Sequence, residues 1–146
     1  MEEPAGGLPA ATRRLIQERA GNRCEYCQLT EFVFHPDHIV PRSRWPGGPG
    51  LHDPANLAWA SLHCNSIRHD HTTGLDPLTG REARLFNPRS DAWSEHFAWA
   101  GGFTEIVGTT ATGRATVWRL RLNRPVYKRH RRLLLAAARG GYRTWP

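Results

Sequence analysis

Two cysteines stand two residues apart in Cys24-Glu25-Tyr26-Cys27, and a third, Cys64, follows much later. Three thiols cannot pair off completely, and a reducing compartment disfavours structural disulfides, so metal binding becomes the live option. Both knuckle thiolates can reach one tetrahedral Zn²⁺ only if the chain turns sharply between them, and Cys64 offers a third. Where a second knuckle would put its first cysteine, the chain has Ser61. His63, a water or another residue then completes the shell, or the zinc is weakly held or absent. Buried free thiols are the competing reading. A complete structural site contributes about 10–16 kcal/mol of apparent binding free energy, so even a weakened one could hold a small fold together.

A chain of 146 residues is long enough for one compact domain with appendages and short for two full-sized ones. Its longest apolar run, Leu133 to Ala138, is far below the roughly 20 residues that span a bilayer. The opening residues lack the basic and apolar regions of a signal peptide. The expectation is a soluble, cytoplasmic protein with no membrane partner. The net charge is +7, but it is unevenly spread: from Arg114 to Pro146 there are ten basic residues and no acidic one. A stripe of this kind suits a polyanion, because neutralising phosphates releases condensed counterions. A solvated basic helix would look the same, and nineteen of the twenty cations being Arg can reflect base composition alone.

Along the chain, residues 10–20 read as a short helix with Leu15 and Ile16 on its apolar side, stopped at Gly21-Asn22. A turn at Cys24–Cys27 leads to an extended run through Phe32-Val33-Phe34 towards His38-Ile39-Val40, broken at Pro41. Residues 41–54 form a Pro- and Gly-rich loop. Asn56-Leu57-Ala58-Trp59-Ala60 alternates like a strand, and a helix can start at Ser61 and run to about Asp70. Residues 72–91 look turn-dominated. Trp93, His96, Phe97 and Trp99 to Phe103 form an aromatic cluster that reads mostly as core. The run from Thr112 to Asn123 leans to helix. In the last element Asn123 caps, Pro125 suits the first turn, Gly140-Gly141 terminates, and Val126, His130, Leu133, Leu134 and Ala137 share one side.

Between the knuckle and Cys64 lie Asp37-His38-Ile39-Val40-Pro41, Gly47-Gly48, Asn56-Leu57 and finally Cys64-Asn65. In this order they resemble an HNH endonuclease stapled by a cysteine zinc site, with Ser61 replacing one cysteine and Asn65 at the last motif position. The likeness spans Arg23 to about Arg68, and later segments (TGLDPLTG, LFNPR, TGRATV) resemble flanking parts of one bacterial branch. It implies an α+β fold: a ββα-metal core near residues 23–71 with a zinc knuckle, flanked by helices and a basic C-terminal helix, all in a single domain over 1–146 with residues 72–146 wrapping the core. It also implies DNA as substrate, Mg²⁺ or Mn²⁺ as catalytic ion, Zn²⁺ as structural ion, and an Asn56 that orients the His38 ring.

Phosphodiester cleavage needs an activated water, charge stabilisation and help for the departing oxygen. His38, with an unperturbed pKa of about 6.5, is a credible general base. Asp37 is a hard ligand for a divalent ion, with Asn65 or, one helical turn later, His69 as its partner. Neighbours in a strand point to opposite faces, so Asp37 and His38 can share a site only if the strand ends or bends there. Arg68 suits a phosphate contact, as do Arg42 and Arg44 and, on the last helix, Lys128, Arg129, Arg131 and Arg132. Arg89 could grip a phosphate, and His96 either reaches the site or packs. The alternative function is a zinc-stapled nucleic-acid-binding module without hydrolysis. Oligomeric state and sequence specificity stay open.

Overall fold

In the computed structural model, which describes residues 7–30 and 33–139, the first helix starts where the sequence predicts it. Helix α1 spans Ala10–Arg19 and ends at two successive residues of positive φ, Gly21 and Asn22. It buries Ile16 against Leu57 and Trp59, with Leu8, Ala20 and Phe34 around them. Leu15, expected beside Ile16, is 47% exposed, so one aliphatic side chain anchors this helix. The described architecture is α+β, with five α-helices and three two-stranded antiparallel sheets. It divides into two units: one reaching Thr72 and taking in Asn87–Ser90, the other made of Thr73–Phe86 and the chain from Asp91 on. No helix among the described residues is long and apolar enough to cross a membrane.

In the first unit, β1 (Phe34–His38) pairs antiparallel with β2 (Leu57–Ser61), Phe34 facing Ser61 and His38 facing Leu57. Pro36 is tolerated because a two-stranded ribbon has open edges. Just past His38 the Ile39 amide still pairs with the Asn56 carbonyl, while the Ile39 and Val40 carbonyls are held by the Arg68 and Asn56 side chains. All five residues of β2 are buried, so the predicted alternation is absent: both of its faces are covered. Helix α2 (Leu62–Arg68) follows at once, and the Ser61 hydroxyl accepts from the Cys64 amide at its start. Phe32, part of the expected extended run, lies outside the described residues.

In the second unit, residues expected to be irregular form a hairpin of β3 (Thr73–Asp76) and β4 (Arg81–Arg84). Asp76 builds its turn, accepting from the Leu78 amide and the Thr79 hydroxyl. A short helix α3 (Trp93–His96) leads into the hairpin of β5 (Phe97–Ala100) and β6 (Glu105–Gly108), followed by α4 (Ala111–Leu120). The rings of the aromatic cluster pack on one another, Trp93 5.1 Å from Phe97 and 5.4 Å from Trp99, but only Phe97 is buried and Phe103 is 45% exposed, so the expected core reading holds for Phe97 alone. Helix α4 confirms the helical leaning and approaches its neighbours closely. A Cβ on Gly113 would sit 1.9 Å from the His96 carbonyl oxygen, and one on Gly108 would sit 2.2 Å from the Arg114 nitrogen.

The last helix, α5 (Pro125–Arg139), departs from the expected facing. Its buried stripe is Tyr127, Arg131 and Leu134, while Val126 and Leu133 are 52% and 61% exposed. Asn123 does not serve as the expected cap, because its amide bonds both the nitrogen and the oxygen of Ile106. Gly140 and Gly141 lie outside the described residues.

Candidate catalytic and metal centre

The knuckle is built by backbone hydrogen bonds, Cys24 N to Leu29 O and Gln28 N to Cys24 O, with Gln28 at φ 66°. It is tied to β2 twice: the Glu25 amide donates to the Trp59 carbonyl, and the Glu25 carboxylate accepts from the Trp59 amide. Arg89 closes the same carboxylate, so this side chain serves the knuckle and is not left for phosphate. Helix α2 brings Cys64 to the knuckle, and the sulfurs of Cys24, Cys27 and Cys64, all fully buried, lie within 4.8 Å of one another.

Tetrahedral zinc holds its thiolates at about 2.3 Å, which puts sulfurs roughly 3.8 Å apart, so this set fits the ion. The Cys27 amide points at the Cys24 sulfur from 3.4 Å. Burial pushes the Cys24 thiol up, but hydrogen bonds from the Cys27 and Cys64 thiols and from the Ser61 and Cys27 amides bring it well below the usual thiol range. Burial drives Cys27 and Cys64 well above that range. Zinc takes cysteine as thiolate, so metal binding at this cluster releases protons.

Asp37 faces inward from β1 and is 2% exposed. The Tyr26 hydroxyl, from inside the knuckle, donates to its Oδ2 at 2.7 Å. Arg68, from the last turn of α2, donates through Nη1 to both carboxylate oxygens at 3.1 and 3.0 Å. The same guanidinium holds the His38 carbonyl at 2.9 Å and the Ile39 carbonyl. Burial pushes the Asp37 carboxyl above the usual range, although the Arg68 charge pulls it back. Two expectations change here. Arg68 is 3% exposed and fastens the end of β1, so it cannot meet a phosphate. Asp37 is a buried ion-pair partner and is not presented to a hard ion.

His38, on the opposite face, is partly buried, and its Nε2 lies 2.9 Å from Nδ1 of His52, one ring donating and the other accepting. Their planes cross at 68°. Asn56 does not orient this ring as the resemblance implies. Its Oδ1 accepts from the Val40 amide, and its Nδ2 donates to the carbonyls of Val40 and Leu51. It therefore clamps the main chain on both sides of the loop. His52 was not legible in the sequence, since it stands in the glycine-rich loop at no motif spacing. The loop itself closes on Trp45, whose Nε1 donates to the Gly48 carbonyl and whose ring sits 3.2 Å from where a Gly50 Cβ would be.

Asn65 is partly buried on α2. His69 does not continue that face: at φ 48° it leaves the helix exposed. Among the described residues, the three cysteines are the one group of three or more His, Cys, Asp or Glu whose ligand atoms converge. Arg42 and Arg44 are exposed in a 3₁₀ turn just after β1, Arg44 donating to the Asp70 carbonyl.

In the second unit, Arg129 and Arg132 are exposed, while Lys128 pairs with Glu105 at 2.8 Å. Arg131 corrects the expectation of a phosphate contact. It is fully buried, bonds the Thr104 and Leu122 carbonyls, and lies over the Trp99 and Tyr127 rings. His96 packs: its Nδ1 is 2.7 Å from the Thr110 hydroxyl and its ring meets the edge of Phe86.

Residues 24–71 match the family described as HNH endonuclease. That match suggests a nuclease or nucleic-acid-related function. No curated protein and no solved structure matches the chain.

Proposed function

Starting from an HNH endonuclease domain at residues 24–71, we propose that the protein hydrolyses DNA phosphodiester bonds with His38 as general base. The observation that carries this reading is the His38 imidazole at the end of β1, partly exposed and paired with His52 at 2.9 Å. A neutral imidazole near pH 7 takes the proton of an attacking water and later passes it to solvent. Its backbone is fixed from two sides, by Arg68 on the His38 carbonyl and by Asn56 on Val40. Fixing the base in this way lowers the entropic cost of bringing it to the reacting water. Arg42 and Arg44, exposed beside that strand end, supply positive charge for the scissile strand.

The reading includes a catalytic Mg²⁺ or Mn²⁺, as the family implies. The side chains near β1 do not fit such an ion as they stand, since Asp37 is engaged by Arg68 and Tyr26. Zn²⁺ is assigned to Cys24, Cys27 and Cys64, where it would staple the knuckle to α2. The test is nicking of supercoiled plasmid with Mg²⁺ or Mn²⁺. His38→Ala should lower the rate by about 10²–10⁴; undiminished activity in that variant refutes the assigned base.

The engaged Asp37 favours a second reading, a zinc-stapled nucleic-acid-binding module without hydrolysis. It requires salt-sensitive duplex binding and no nicking with either ion.

A further inference from the structure

Ser61 occupies the one place where the cysteine pattern breaks, and its surroundings are those of a ligand. Its side chain is fully buried, and its Oγ receives the Cys27 thiol at 3.8 Å and the Cys64 amide at 3.2 Å. The oxygen thus touches one cysteine through its sulfur and a second through its main chain. Tetrahedral zinc with sulfur at about 2.3 Å and oxygen at about 2.0–2.2 Å separates those two ligand atoms by roughly 3.5–3.7 Å, close to the spacing present here. A hydroxyl has two lone pairs and one proton. One lone pair caps α2, and the oxygen also lies against the Cys27 sulfur, at the rim of the three-cysteine cluster.

We propose that Ser61 Oγ is the fourth ligand of the three-cysteine metal site, so that one hydroxyl both caps α2 and closes the zinc shell. The inference rests on the assignment of zinc to Cys24, Cys27 and Cys64 and adds to it. A neutral oxygen beside three thiolates gives the site one negative charge fewer than four cysteines would. It is also a weaker donor to this ion than sulfur, so the site exchanges metal faster than a four-thiolate one.

The test uses the full chain, its zinc content measured first. Zinc affinity is then compared by chelator competition in the parent, Ser61→Gly and Ser61→Cys. Glycine is tolerated at a helix N-cap almost as well as serine, so Ser61→Gly removes the ligand with little loss of capping. Its affinity should fall at least about tenfold. Ser61→Cys should bind more tightly than the parent. In its Co²⁺-loaded form, thiolate-to-metal absorption should rise in the ratio of about four to three. A parent that holds one zinc, with Ser61→Gly holding it equally tightly, overturns the serine ligand and leaves the zinc assignment standing. Unchanged Co²⁺ absorption in Ser61→Cys does the same, even if the glycine variant fails to fold. A parent that takes up no zinc removes both.

Discussion

Replacing Arg68 by methionine tests how the reactive end of β1 is held. Methionine keeps most of the apolar stem and deletes the guanidinium. Removing one partner of a buried pair costs about 3–5 kcal/mol, because the other charge stays behind without compensation. The His38 and Ile39 carbonyls also lose their donor, at about 1–3 kcal/mol for each buried group left unsatisfied. These terms do not add simply, so the expected loss runs from about 3 kcal/mol upward, against a total of about 5–15 kcal/mol for a typical domain.

Asp37→Asn in the same chain removes the orphaned charge, and the double variant should recover about 1–3 kcal/mol relative to the sum of the singles. The pH dependence has a definite sign. Burial raises the Asp37 carboxyl above its unfolded value, so its contribution to stability is fully present below the unfolded pKa and is lost as pH rises through the folded one. Without Arg68 the carboxyl rises further, so Arg68→Met should be less destabilised at pH 5 than at pH 8. Urea unfolding of the full chain, followed by circular dichroism at both pH values, measures all three quantities. A single variant within about 1 kcal/mol of the parent, or a loss that Asp37→Asn leaves undiminished, refutes the reasoning.

His52→Ala should lower the plasmid-nicking rate about tenfold or more while leaving duplex affinity unchanged, because it removes the partner of the His38 ring and no phosphate contact. Arg129→Gln and Arg132→Gln should each reduce the slope of log affinity against log salt by about one, whereas Arg131→Gln should instead lower the melting temperature, its cation being buried. Arg114 holds the Asp76 carboxyl well below the usual carboxylate range, so the stability it confers is present above the unfolded value and is lost as pH falls through the folded one. Asp76→Asn should therefore melt lower than the parent at pH 7, with the gap narrowing at strongly acid pH, as read by thermal denaturation.

The staple and the ββα order were legible because their signals are local: a knuckle spacing, a Pro-broken strand, and a serine opening a helix. Helix α4 was legible only as a leaning over Thr112 to Asn123; that Thr110 caps it and that it ends at Leu120 come from the structure. The β3–β4 hairpin was hidden because Arg-Glu-Ala-Arg has no strand preference and becomes a strand only by pairing. The facing of α5 was misjudged because an arginine took an interior position that the hydrophobic pattern reserves for leucine. Its cost is offset by carbonyls and two aromatic rings that a linear reading cannot bring together. The same limit applies at the candidate site. His38 and Asp37 were found from their motif, but which of them faces solvent, and that a second histidine meets the first, depends on how residues 39–56 close.

Tyr26 inside the knuckle and Arg68 at the far end of α2 both grip the carboxylate that precedes the imidazole-bearing residue. Segments some forty positions apart in the chain thus converge on one short peptide stretch, which has no slack of its own. Amide hydrogen exchange in the knuckle, at residues 37–40 and along α2 should accordingly slow or quicken in concert, as a single opening unit, and any loosening at the sulfurs would reach the histidine as lost protection.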